Sequence, residues 1–267
     1  EDIKVIDPCM GSGHILVYAF DVLMQIYEEQ GYTQRDAARL IVEKNLYGLD
    51  IDKRAYQLAY FAVMMKARQY NRRILNGEVK PNLCAIEESN GINRSHLKYL
   101  GAGLSELERN SARTQLDSVL DSLTDAKEYG SILNVEPVDW TLMDRYVASA
   151  EADPQMNLET VGLESTQVHM QRLLKQVQAM AQKYDVVCTN PPYMGSSGMS
   201  AKLSDYVKAN YPDSKSDLFA GFIERCRKMV KKNGYQAMIT QHAWMFLSSF
   251  EKLRAKLLAV DIVNMLD

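Results

Sequence analysis

The sequence predicts an α/β fold built on a mostly parallel sheet, and three observations lead to this expectation. Short β-type apolar runs alternate along the chain with longer runs whose apolar residues recur at helical spacing. A glycine-rich turn and an Asn-Pro-Pro segment each follow a short run directly, as expected where strands end at the edge of an open sheet. The length of 267 residues, with 46% hydrophobic and 24% charged residues, suits one large α/β domain or a domain with an insertion.

The composition argues against a membrane protein and against a metal or disulfide framework. The longest apolar runs fall short of the roughly 18 residues that a membrane span requires, and the first residues contain neither a basic n-region nor a cleavage site. We therefore expect a soluble cytoplasmic protein without a membrane partner. Cysteines are scattered, with no CxxC pair and no histidine at ligand spacing, which predicts free thiols and no metal site.

The first strand and the turn after it predict a site for an amino acid. Residues 3–6 are a strand candidate, and the turn DPCMGSGH at Asp7–His14 leads into a helix. Gly11 and Gly13 allow a ligand to approach the backbone, and the helix N-terminus favours a carboxylate. Asp7 can accept a hydrogen bond from an ammonium group. A carboxylate beside an ammonium suggests the methionyl part of S-adenosylmethionine.

A dinucleotide-binding turn is the alternative for this stretch, because GxG also occurs in that fingerprint. Its third glycine would fall at Leu16 and is missing. In the methyl-donor interpretation, Pro8, Cys9 and His14 also belong to the donor site.

The second strand ends on an acidic residue that predicts a nucleoside contact. Leu46–Asp52 has the pattern of a strand, and Asp50 can accept from both ribose hydroxyls of a nucleotide. Ile51 would then lie against the adenine face. Capping of the next helix is the alternative for the aspartates, and we assign capping to Asp52 and donor binding to Asp50.

Two helices flank this second strand. The first is expected over Thr33–Lys44, with Thr33 as its N-cap, and the second over Lys53–Tyr70. The apolar residues that recur at helical spacing along the second helix, and predict its buried face, are Leu58, Phe61, Ala62 and Met65.

A third strand is expected at Leu83–Ile86, followed by the polar residues 87–90. Their position suggests that Glu87 reaches the amino group of the donor's adenine. An ordinary solvated turn is the alternative.

Residues 95–182 predict a helical insertion. Between Ala102 and Ser165 there are thirteen acidic residues against four basic, a net charge of −9, whereas the whole chain carries −3. Nucleic acid would therefore meet the remaining, net basic part. A solvated helical face is the alternative explanation of the acidic bias.

The segment YDVVCTNPPY predicts the reacting site. An apolar run over Val186–Cys188 breaks on Asn-Pro-Pro, which leaves its end at the sheet edge. Pro191 and Pro192 fix the backbone and lack amide donors, so nearby carbonyl oxygens stay free to accept. With the side-chain amide of Asn190 and the ring of Tyr193, they form a slot for a planar group carrying NH₂. A simple turn is the alternative for Asn-Pro-Pro.

After this segment we expect a polar loop, a helix, a strand, a second helix and a sixth strand. Their predicted ranges are 194–214, 216–232, 235–240, 246–258 and 260–266.

DPCMGSGH, GLDID and NPPY, in this order, resemble the S-adenosylmethionine-dependent adenine-specific DNA methyltransferases. Within them the chain most resembles the PglX group, the large methyltransferases of phage-defence systems. The resemblance implies a Rossmann-like class I methyltransferase fold with a truncated sheet of the seven-stranded type. It divides the chain into a cofactor-binding half at 1–94, the insertion at 95–182 and a catalytic half at 183–267.

The resemblance also implies the reaction and its partners. A methyl group would pass from S-adenosylmethionine to the exocyclic amine of an adenine flipped out of double-stranded DNA. The catalytic residues would be Asn190, Pro191, Pro192 and Tyr193. A C-terminal target-recognition domain in the same polypeptide and defence-system proteins would be further partners.

Two departures from the family leave alternatives open. The usual helical segment before the first strand and the usual recognition domain after the last strands have no counterpart in these residues. NPPY also occurs in methyltransferases acting on protein glutamine or on an exocyclic amine of RNA, and a non-catalytic cofactor-binding scaffold is a third possibility.

Overall fold

A computed structural model describes residues 1–150 and 161–266 and places a five-stranded sheet at the centre of the chain. The strands are β1 Val5–Asp7, β2 Leu46–Asp50, β3 Asn82–Ala85, β4 Tyr184–Thr189 and β5 Val230–Met238. Their order is β3-β2-β1-β4-β5, and every neighbouring pair is parallel. The predicted α/β fold with a parallel sheet is confirmed.

Helices cover both faces of this sheet. They are α1 His14–Glu29, α2 Gln34–Leu40, α3 Lys53–Tyr70, α4 Glu106–Ser122, α5 Ala126–Tyr129, α6 Trp140–Ala148, α7 Leu163–Ala181, α8 Ala201–Asn210, α9 Leu218–Met229, α10 Ala243–Phe246 and α11 Glu251–Leu257. Among the described residues, no helix is both long and apolar enough to cross a membrane.

Side-chain caps fix the starts of the helices around β2, as predicted. The Thr33 hydroxyl accepts from the backbone N–H of Asp36 at 3.1 Å, and the Asp52 carboxylate accepts from that of Arg54 at 2.8 Å. The α-helix that begins after Thr33 ends at Leu40 and continues as a π-helical turn into β2, earlier than the predicted end.

The predicted buried face of α3 is wrong. Leu58 and Phe61 are 58% and 64% exposed, whereas Ala59, Val63, Met64 and Ala67 are buried. The cause is a close approach to the start of α1, where a Cβ on Gly13 would lie 2.9 Å from the Cα of Ala59. Only a small residue fits against that turn, so Ala59 faces it, and this orientation of α3 turns Leu58 and Phe61 outward while Val63 and Met64 face inward.

The residues assigned to the insertion pack onto one face of the sheet. One hydrophobic cluster joins α4, α6 and α7 to the sheet residues Ile6, Leu49 and Val187. A second cluster, on the opposite face of the sheet, contains Val5 together with α1, α2 and α3. Helix α7 contacts β2 and β3 and occupies the crossover from β3 to β4. Residues 95–182 therefore contribute directly to the core that supports the sheet.

Two predictions for the later residues are wrong. Residues 260–266 form no strand, and their side chains are mostly exposed, so no buried face holds them in the sheet. The range predicted as a polar loop, 194–214, contains α8. Ser200 is the N-cap of this helix, and its hydroxyl accepts from the N–H of Leu203 at 3.2 Å.

Candidate active site

Three of the segments singled out from the sequence meet at one edge of the sheet. Strand β1 lies between β2 and β4, so the turn after Asp7, the end of β2 at Asp50 and the Asn190 segment after β4 all leave the carboxyl ends of adjacent parallel strands. Ligands of open α/β sheets bind at this edge.

The turn between β1 and α1 is held against β2. The N–H of Gly11 donates to Asp50 Oδ2 at 2.8 Å, and the N–H of Met10 donates to the Leu49 carbonyl at 3.0 Å. Gly11 has a φ of +51° and no atom within 4 Å of where its Cβ would be. Space is therefore open beside the Gly11 backbone.

Asp7 is buried beneath this turn. Its Oδ1 accepts from the Thr189 hydroxyl at 2.6 Å and from the N–H of Cys9 at 3.0 Å. Burial raises the pKa of Asp7 to about 7, against the lowering effect of these two hydrogen bonds, and the nearby Asp50 carboxylate adds to the rise. A cation beside Asp7 would relieve this cost, so the residue suits an ammonium ligand.

Asp50 is half-buried and Ile51 is exposed at the end of β2. The Asp50 carboxylate accepts from the N–H of Gly11 through one oxygen and from that of Asp52 through the other, at 2.8 Å each. Partial burial raises the pKa of Asp50. Both oxygens keep a second acceptor direction, and Ile51, 49% exposed, adds an apolar surface beside them.

The remaining predicted donor residues differ in their surroundings. The Pro8 carbonyl accepts from the Ser131 hydroxyl at 2.5 Å, and Cys9 Sγ lies 3.8 Å from the same hydroxyl. Burial, followed by the charge of Asp7, raises the pKa of the Cys9 thiol well above its usual range, which disfavours the thiolate form. His14 is exposed as the first residue of α1.

Glu87 is turned toward α7. Its carboxylate lies 3.1 Å from His169 Nε2 and 3.5 Å from Arg172 Nη1. The side chain of Gln176 accepts from the Glu87 N–H at 2.7 Å and donates to the Glu87 carbonyl at 3.1 Å. This geometry lends no support to Glu87 at the donor's adenine, and that role stays a prediction. The helical spacing of His169, Arg172 and Gln176 places them on one face of α7, but it does not indicate that this face meets Glu87.

The Asn-Pro-Pro-Tyr segment leaves β4 with its polar groups at the surface. Asn190 is exposed, and its Oδ1 accepts from the Tyr193 hydroxyl at 2.8 Å; that hydroxyl also lies 3.2 Å from the Ile239 carbonyl. Pro191 is buried and Pro192 is exposed. Within residues 1–150 and 161–266, the carbonyls of Asn190 and Pro191 accept no hydrogen bond. They remain free acceptors beside the side-chain amide.

The Tyr193 ring lies over the start of α9. It is 44% exposed and packs edge-on against Phe219, with ring centroids 6.0 Å apart. The next residue, Met194, donates its N–H to Asp217 Oδ1 at 3.1 Å, and its carbonyl accepts from the N–H of Leu218 at 2.9 Å. Asp217 thus holds the chain next to Tyr193. The position of Asp217 as the N-cap of α9 can be predicted from the sequence Ser216-Asp217-Leu218, but its contact with Met194 cannot.

Comparison with known proteins identifies the family. Residues 44–265 match the Eco57I restriction-modification methylase family. The chain belongs to this family. Residues 1–80 of the chain also match the N-6 DNA Methylase family. In the described part of the chain, no group of three or more His, Cys, Asp or Glu residues could hold a metal ion.

Two curated relatives resemble this chain over nearly its whole length. It is 43% identical over 267 residues to the adenine-specific methyltransferase PglX of Lacticaseibacillus casei, covering 99% of this chain and 22% of that protein. It is 38% identical over 279 residues to the adenine-specific methyltransferase BrxX of Escherichia coli, covering 97% of this chain and 23% of that protein. The predicted resemblance to the PglX group is confirmed, and the chain spans under a quarter of each relative.

Solved structures share the fold. The DrdV protein in a cryo-EM complex with DNA aligns over 97% of this chain and 19% of its own, with a TM-score of 0.50 and 14% identity. The ATP-dependent Type ISP restriction-modification enzyme LlaBIII, bound to DNA, aligns over 97% of this chain and 14% of its own, with a TM-score of 0.51 and 12% identity. At these identities the likeness concerns the fold, and it agrees with the Rossmann-like methyltransferase architecture.

Proposed function

We propose that the protein transfers a methyl group from S-adenosylmethionine to the exocyclic amino group of adenine in DNA, as part of a restriction-modification or phage-defence system. The observation that carries the proposal is the hydrogen bond between Asp7 and Thr189. It joins the end of β1, where the donor turn begins, to the residue directly before Asn190. A donor site and an amine site therefore share one buried contact.

The residues at this edge fit the proposed donor. Asp7 has the raised pKa of a buried carboxylate without a cation, which suits an ammonium group. The start of α1 and the open side of Gly11 suit a carboxylate. Asp50 would accept from ribose hydroxyls and Ile51 would lie on adenine. S-adenosylmethionine would supply a methyl group on sulfur, whose positive charge makes it a good leaving group.

Asn190 and the Pro191 carbonyl would act on the incoming amine. An amino group conjugated to a ring is a weak nucleophile, and accepting both its hydrogens draws the nitrogen toward a tetrahedral form with an available lone pair. That nitrogen forms a bond to the methyl carbon while the carbon–sulfur bond breaks, and the excess proton passes to water. The Asn190 amide oxygen, which here accepts from Tyr193, would exchange that donor for the amine.

Tyr193 would hold the target base. A stacked base cannot reach this edge, so it must flip out at a cost of a few kcal/mol. Stacking on an aromatic ring offsets roughly 1–3 kcal/mol of such a cost. The exposure of the Tyr193 ring and the hydrogen bond of its hydroxyl to Asn190 support this role.

The test is product analysis with the complete protein encoded by the gene. DNA, RNA and protein acceptors are incubated with isotope-labelled S-adenosylmethionine, and the hydrolysed products are separated by mass spectrometry. We expect N6-methyladenine from DNA, and loss of the product in Asp50→Ala but not in Asp144→Ala, an exposed carboxylate on α6. Label in glutamine, RNA or cytosine, or failure to bind the donor, would contradict the proposal.

A further inference from the structure

A short segment of the insertion reaches the candidate donor site. We name residues 125–134 the bridge segment; it comprises α5 and the 3₁₀ turn at Gly130–Ile132. Its Ser131 is 5% exposed and donates a hydrogen bond to the Pro8 carbonyl at 2.5 Å. The two residues are 123 positions apart in the chain. The insertion thus contacts the turn between β1 and α1 directly.

The Ser131 contact fixes one particular peptide plane. The carbonyl of Pro8 and the N–H of Cys9 belong to the same planar unit and point in opposite directions. Ser131 holds the carbonyl, and Asp7 Oδ1 accepts from the N–H at 3.0 Å. Both ends of the plane are pinned, so Ser131 helps to fix the Cys9 N–H that, together with the Thr189 hydroxyl, orients the Asp7 carboxylate.

Gly130 packs on the other half of the donor site. Its φ of 65° and ψ of −149° lie in a region that is nearly restricted to glycine. A Cβ at this position would lie 3.4 Å from Ile51 Cδ1. Ile51 is the residue proposed to lie against the donor's adenine, so the bridge segment backs both the amino-acid end and the nucleoside end of the site.

The catalytic half holds the bridge segment in place. The buried guanidinium of Arg225 in α9 donates from Nε to the Ser131 carbonyl at 3.1 Å and from Nη2 to the Met180 carbonyl at 2.8 Å. The Tyr211 hydroxyl donates to the Ile132 carbonyl at 2.7 Å. Ser131 is therefore fixed on its backbone side by α9 and the residue after α8, and its hydroxyl is directed at Pro8.

Helix α8, which follows the Asn-Pro-Pro-Tyr segment, is attached to the same bridge. Lys202 lies 2.5 Å from Asp125, and the Ser200 hydroxyl donates to Glu128 at 2.9 Å. The Tyr206 hydroxyl accepts from the N–H of Asn134 at 2.8 Å.

We propose that the bridge segment forms a wall of the methyl-donor site and that Ser131 is a positioning residue, which aligns the turn at Pro8–Cys9 for the amino-acid end of the donor. The inference rests on the proposed function. It assigns the insertion a part in donor binding, through Ser131 at one end of the donor and Gly130 at the other.

Calorimetric titration of the complete protein with two probes tests this role. S-adenosylhomocysteine carries both the amino-acid and the nucleoside ends, whereas 5′-methylthioadenosine carries only the nucleoside end. Ser131→Ala should weaken S-adenosylhomocysteine roughly fivefold to tenfold, as for one lost hydrogen bond, and leave methylthioadenosine unchanged. Gly130→Ala should weaken both. Ser122→Ala removes a hydroxyl that, among the described residues, bonds only to a carbonyl of its own helix, and it should change neither.

The outcomes separate the two proposals. Unchanged S-adenosylhomocysteine affinity in Ser131→Ala, or an equal loss for both probes, would overturn the role of Ser131 while leaving the proposed function intact. Absence of S-adenosylhomocysteine binding by the parent protein would overturn the proposed function and this role with it.

Discussion

Asp7→Asn should stabilise the ligand-free protein while weakening donor binding. Asparagine keeps an oxygen that can accept from Thr189 and from the N–H of Cys9, and it removes the buried charge. The pKa of Asp7 rises from 3.8 to about 7 because the carboxylate is buried. A shift of about three units corresponds to about 4 kcal/mol of unfavourable free energy at a pH above both values.

The direction of the Asp7 pKa shift determines how the stability gain of Asp7→Asn depends on pH. A carboxyl group whose pKa is raised on folding favours the folded state below its unfolded pKa, and this contribution is lost as the pH rises through the folded pKa. The gain in unfolding free energy from Asp7→Asn should therefore grow from about 2 kcal/mol at pH 5.5 to about 4 kcal/mol at pH 8.

Denaturant unfolding of both proteins at these two pH values measures the effect, with Asp185→Asn as a control. Burial favours a raised pKa at Asp185, but the hydrogen bonds from Lys231 and from the N–H of Lys4 outweigh it and lower the pKa. A lowered carboxyl pKa stabilises the protein above its unfolded value, so Asp185→Asn should be destabilising by an amount that is equal at the two pH values. An Asp7→Asn protein that is less stable than the parent, or whose gain does not change with pH, would refute the reasoning.

Two further predictions concern the same edge of the sheet, and a third concerns the acidic segment 102–165. Thr189→Val removes the hydroxyl bonded to Asp7 and should raise the pKa of Asp7. In calorimetric titrations the pH below which donor affinity decreases should therefore move upward in Thr189→Val and stay unchanged in Thr189→Ser. Equal pH profiles of donor affinity in the parent and in Thr189→Val would contradict the link between Thr189 and Asp7. Tyr193→Ala should weaken capture of the flipped base by roughly 1–3 kcal/mol and be partly rescued by a mismatch opposite the adenine, with Tyr193→Phe milder, in binding assays on matched and mismatched duplexes. The acidic segment 102–165 should give no crosslinks to bound DNA, because its charge repels phosphates, and efficient crosslinking would show that DNA lies against it.

Signals that act over a few residues were readable from the sequence. The caps at Thr33 and Asp52 depend on a side chain and a backbone N–H two or three residues later, and both occur where expected. The breaks at the glycine-rich turn and at Asn-Pro-Pro depend on backbone constraints carried by the residues themselves. They place the ends of β1 and β4 at one edge of the sheet.

Contacts between distant segments were not readable. The exposed face of α3 follows from its approach to Gly13, and the orientation of Glu87 follows from three side chains on α7. Likewise, nothing near Ser131 in the sequence indicates a bond to Pro8, because that bond depends on how Arg225 and its neighbours hold the bridge segment.

The central claim is that Asn190 prepares an amine for methylation by a donor bound at β1. Single-turnover methylation of an adenine-containing duplex by the complete protein, with Asn210→Ala as a matched asparagine control at the exposed end of α8, tests it directly. The account predicts that Asn190→Ala lowers the rate by on the order of a hundredfold while donor affinity hardly changes. A near-normal rate in Asn190→Ala would remove this asparagine from the mechanism and contradict the claim.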